Sequence, residues 1–190
     1  MGLFMKKLQF ILFVFLYVSF SVCFAVNFPS VLEFQNIAHY KVEEKEAKDP
    51  TLTKNVATYL PAGQNETNWQ SKLEVGLLPE LDNPPKYAQL LIKSMYERTG
   101  QKAIVQEKIN GNPNDNLFAF VGVKRAKNED SFFLTVIRIK KNPKGNGSII
   151  LQYAARQHHV ANDKSPTQGV FKIGHIFNEI KKFPMEGIAK

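Results

Sequence analysis

Apolar and polar positions recur with two different periods along this chain, and the change from one period to the other marks its elements. Residues 26–50 are weakly patterned, with a short strand expected around 36–42, then the charge run Glu43-Glu44-Lys45-Glu46, which reads as a solvated loop or helix end. Residues 55–60 and 69–78 read as two strands joined by Pro61-Ala62-Gly63-Gln64-Asn65-Glu66, whose proline and glycine form turns. Pro84 and Pro85 then open a helix, because proline is tolerated where the first-turn N–H groups have no intrahelical acceptor. Tyr87, Leu90, Leu91 and Met95 continue it at helical spacing, and Gly100 ends it.

Four strand-like segments follow, at 102–109, 117–123, 132–139 and 148–156. The loops between them are too short for the crossovers that parallel pairing needs, so the strands are expected to be antiparallel neighbours. A second helix is expected over 170–182, where Ile173, Ile176, Phe177 and Ile180 fall on one face. In strand 117–123, Phe118 and Phe120 point one way and Leu117, Ala119 and Val121 the other, so both faces of the sheet are expected to be covered. The pattern predicts an α+β fold: an antiparallel sheet of about six strands with a helix on each face, an α/β/α sandwich. The expected organisation is a signal peptide over 1–25, a weakly structured segment over 26–50 and a single α+β domain over 51–190.

Composition changes this picture only when the first 25 residues are set apart. They hold 19 hydrophobic residues, two lysines and no acid, leaving 23 Lys and Arg against 17 Asp and Glu in the rest, a net +6. Lys6 and Lys7 precede an apolar run that ends in Cys23-Phe24-Ala25, small residues at the positions a secretory cleavage site reads. We therefore expect cleavage after Ala25 and a periplasmic or secreted protein without a stable membrane span. The alternatives are an uncleaved inner-membrane anchor and a lipid attached at Cys23, although Val22 fits poorly before a lipidated cysteine. Cys23 is the one cysteine, so the processed chain is expected to use neither disulfides nor thiol chemistry.

Candidate chemistry is sparse. His158 and His159 invite a metal or hydrolytic reading, with His175 or Asp163 completing a site, but neighbours on an extended strand point to opposite faces. No Gly-x-Ser-x-Gly elbow and no phosphate-cradling glycine motif occurs, so no catalytic residue and no cofactor is assigned. Lys124, Arg125, Lys127, Arg138, Lys140, Lys141 and Lys144 fall on two adjacent strands and their loops. If those strands pair, Lys124, Arg125, Arg138, Lys140 and Lys141 could form a basic face for an envelope protein or an anionic ligand. The competing reading is lysines that keep a strand edge soluble. Nucleic acid is not an expected partner. Trp69, the sole tryptophan, is expected to pack beneath a helix.

The segments Tyr59-Leu60-Pro61-Ala62-Gly63 and Asn68-Trp69-Gln70-Ser71-Lys72-Leu73, followed by a helix, a meander ending in Leu151-Gln152-Tyr153-Ala154-Ala155-Arg156 and a final helix, resemble small exported bacterial proteins of unknown function. More distantly, the element order over 57–182 resembles the fold shared by the photosystem subunit PsbP and the Ran-binding protein Mog1. That resemblance implies adaptor or assembly roles rather than catalysis. The function expected from the sequence is a non-enzymatic binding or assembly module of the cell envelope, the alternative being a small hydrolase or metal-dependent enzyme using His158, His159 or His175.

Overall fold

The computed structural model describes residues 27–49, 52–125, 129–160 and 172–188. Eight strands, β1 (Val31–Phe34), β2 (Ile37–Asp49), β3 (Leu52–Pro61), β4 (Ser71–Leu78), β5 (Val105–Lys108), β6 (Asp115–Arg125), β7 (Glu129–Lys141) and β8 (Ser148–Val160), form one sheet. Their order is β1-β2-β3-β4-β8-β7-β6-β5, and every pairing is antiparallel. Two helices accompany them, α1 (Pro84–Thr99) and α2 (Ile173–Lys182).

This corrects the expected sandwich of about six strands with a helix on each face: the fold is dominated by an eight-stranded sheet. Eight strands span about 38 Å, whereas helices of 16 and 10 residues are about 24 and 15 Å long and cover only parts of it. The PsbP/Mog1-like sandwich is set aside on the same ground. The extra strand area comes from residues 26–50, where the charge run is the middle of a 13-residue strand rather than a loop. A second-from-edge strand with solvent near both faces can carry charge on both, so β2 shows no apolar period to read. An irregularity between Lys41 and Glu43 puts Lys41 opposite Tyr59 and Glu44 opposite Ala57, on one face, where Lys41 Nζ reaches Glu44 at 2.7 Å.

Strand alternation divides the core. On one face Ala57, Tyr59, Leu73, Val75, Leu117, Leu134, Val136 and Leu151 pack with Phe28, Leu32 and Phe34 of the N-terminal segment and with Ile176 and Ile180 of α2. On the other, Phe118, Phe120, Ile137, Ile139 and Ile150 pack with Ala88, Leu91 and Met95 of α1. Asn83 caps α1, its side chain accepting from the Lys86 N–H, and Gly100 closes the helix in the left-handed conformation.

Arg138 lies in the first of these cores, 4% exposed. Its Nε and Nη2 donate to the Asp115 carboxylate at 2.9 and 2.7 Å, and its Nη1 donates to the carbonyls of Ile180, Lys181 and Phe183 at the C-terminal end of α2. One guanidinium thus satisfies a buried acid and carbonyls that a helix end leaves without intrahelical partners.

Candidate binding cleft

Helix α1 leaves the β2–β3–β4 part of its face uncovered, and a cleft of about 380 Å³ opens there. Strand alternation builds it: Glu43 and Lys45 come from β2, Val56, Thr58 and Leu60 from β3, and Lys72 and Glu74 from β4. The buried Val56 and Leu60 make an apolar floor. Glu66 and Trp69, from the loop between β3 and β4, complete the wall. That loop is fixed by its own side chains: the Asn65 Oδ1 accepts from the Thr67 and Asn68 N–H groups, and the Gln64 Oε1 accepts from the Gln70 N–H at 2.7 Å.

Four of the five charged side chains in the cleft are matched in two pairs, Glu66 being the fifth. Lys45 donates to Glu43 at 2.9 Å, and that hydrogen bond is the main cause raising the lysine's pKa. Lys72 and Gln152 donate to the two oxygens of Glu74 at 2.6 and 2.9 Å. Trp69 is half-buried and belongs to neither core, so the expected packing beneath a helix is replaced by a position in the cleft wall. The Lys72 Nζ lies 5.4 Å and the Arg156 Cζ 4.9 Å from its ring centroid, both within cation–π range. Arg156 also donates through Nη2 to the Thr67 carbonyl, while its buried Nε has no acceptor.

The basic residues singled out from sequence do not converge. Strands β6 and β7 do pair, but Lys124 and Arg125 stand opposite Ser131 and Asp130, whereas Lys140 stands opposite Asp115, nine residues further along β7 and about 30 Å away. Arg138 is enclosed by Asp115 and α2. Lys140 binds Glu186, and Lys141, on the opposite face, lies 3.9 Å from Asp82. Lys144 is exposed in the β7–β8 turn, and Lys127 lies outside the described residues.

His158 and His159 occupy successive positions on β8, opposite Ser131 and Asp130. His175, on α2, accepts from the Gln35 Nε2 at 3.3 Å, and Asp163 lies outside the described residues. Among the described residues no three His, Cys, Asp or Glu side chains gather into a metal-holding group. One strand of the cleft does carry a sequence signal. Lys72 and Glu74 alternate with Leu73 and Val75 directly after the only tryptophan, which marks a strand with one apolar face and one charged face.

Among the described residues no helix is long and apolar enough to cross a membrane. No curated protein and no solved structure matches the chain. The family is nevertheless defined: a family model covers the whole sheet and both helices, and the chain belongs to that uncharacterised bacterial family over residues 26–185.

Proposed function

We propose that this chain is an exported, non-enzymatic binding module of the bacterial envelope that holds a polar ligand in the Trp69 cleft. The observation that carries the reading is Trp69 itself, half-buried in the wall of an open cleft with Lys72 and Arg156 over its ring. Large aromatic side chains with a polar tip are the usual anchors of binding surfaces, and here the ring stands beside an apolar floor bordered by two matched charge pairs and Glu66. The matched pairs suit a ligand that brings both donors and acceptors over an apolar body, since such a ligand can replace each bond it displaces.

Export rests on the lysine-led apolar segment ending at Ala25, and the start of the family match at Val26 agrees with cleavage there. The ligand or protein partner is then one met in the periplasm or outside the cell.

The single tryptophan makes the test direct, because its emission reports on the cleft alone. Fractionated envelope extract is titrated into the purified protein, and a saturable change in emission is expected from at least one fraction. Thr58→Arg, which fills the cleft, is expected to abolish the response without changing the circular dichroism. Emission that no fraction alters, or a response that survives Thr58→Arg, refutes the reading.

A further inference from the structure

Strand β5 ends the sheet: it pairs with β6 alone, and no described strand lies on its outer side. Its backbone groups on that side are an open template for another strand. Helix α1 packs over β6 and β7, so its flank runs beside this edge. Between them lies a groove of about 350 Å³. Ile92 and Tyr96 line it from the helix, Ala103 and Gln106 from the strand side, and Lys93 and Lys102 stand on its rim. Tyr96 is 50% exposed despite its size. No carboxylate lines the groove, and the acid paired with Lys93, Glu97, is 3.8 Å away with both side chains well exposed, a weak and screened attraction.

We propose that this groove docks an extended peptide segment of a partner protein, added to β5 as a ninth strand, with an apolar side chain held between Ile92 and Tyr96 and flanking carboxylates facing Lys93 and Lys102. Two independent features select this occupant. The unpaired edge offers main-chain hydrogen bonds only to an extended chain, and the helix beside it offers a side-chain pocket, the two parts of recognition by strand addition. The rim is cationic, the groove lining holds no acid and Glu97 offsets Lys93 only weakly from outside it, which favours an acidic segment over a basic one. The four residues of β5 span about 13 Å, room for a short segment rather than a long strand. The site shares no residue with the Trp69 cleft, so either can fail alone.

A random heptapeptide library selected on the full chain, purified in the form the host accumulates, tests this. Expected are enriched peptides with an apolar residue between Asp or Glu, amide shifts confined to 89–96 and 102–108, and unchanged Trp69 emission. The double reversal Lys93→Glu/Lys102→Glu changes only exposed side chains and is expected to weaken those peptides by roughly tenfold or more. No enrichment, enrichment of basic peptides, or affinity unmoved by the reversal overturns the proposal. Concentration-dependent dimerisation that Ile92→Asp abolishes also overturns it, by giving the groove to a second copy of the chain.

Discussion

Arg138 is a buried charge whose partners come from distant parts of the chain. Alternation along β7 sets it on the same face as Leu134 and Val136, yet its acid, Asp115, is 23 positions away and its carbonyl partners lie more than 40 positions on. Side-chain pairing at that separation leaves no local pattern. Removing the arginine strands a buried carboxylate, so Arg138→Met is expected to cost about 3 to 5 kcal/mol. The double variant Arg138→Met/Asp115→Leu should recover much of that loss. Urea unfolding of both variants checks this, and a single-variant loss below about 1 kcal/mol would refute the network's role. His39 is a second buried polar residue, 1% exposed, with Nδ1 bonded to the Ile37 carbonyl at 3.0 Å and Nε2 without a partner. Burial lowers its pKa below the ordinary 6.5, the carbonyl bond opposing this only in part. The neutral form is therefore favoured by folding, and its contribution is present above pH 6.5 and lost as pH falls through the depressed folded value. The melting temperature is expected to drop on acidification below pH 6.5, and His39→Leu should flatten that limb. An unchanged limb in the variant would assign the acid sensitivity elsewhere.

At the scale of elements, what the sequence made legible follows from periodicity. Helix α1 lies where Tyr87, Leu90, Leu91 and Met95 placed it; β4 and β5 fall within the expected segments, and β6, β7 and β8 overrun theirs by up to four residues at an end. The misreading fell on β1 and β2, where charges on both faces of β2 erase the alternation that identifies a strand. The cleft was hidden for a related reason: its residues come from three strands and a loop, and only pairing brings them together. Turns carry their own constraint. Gly147, just before β8, has φ +81°, and a Cβ there would stand 2.1 Å from the Leu78 carbonyl oxygen. Gly147→Ala is expected to lower stability by about 2 to 4 kcal/mol, through backbone strain and a contact that only a shifted main chain relieves. Thermal unfolding measures this; a loss within about 0.5 kcal/mol would mean the turn moves freely.

For the whole molecule, strand order matters more than strand count. Strands β1 to β4 run across the sheet in sequence, but the next neighbour is β8, with β7, β6 and β5 following in reverse. The last described strand is therefore central, pairing on one side with β4 and on the other with β7. Chains ending before Ser148 would keep two open edges where the core should be continuous, and they are expected to show no cooperative unfolding transition. A sharp transition in such a truncation would show that the two strand groups fold separately. The same order bears on timing. Contacts between β4 and β8 join residues 70 or more positions apart, so the sheet closes only when β8 is available, and closure of this kind is slow. For the export proposed above, such a chain must stay threadable until it has crossed. Placing the last described strand at the middle of the sheet delays locking, and it leaves the partly made chain dependent on holdases while its central edges are exposed.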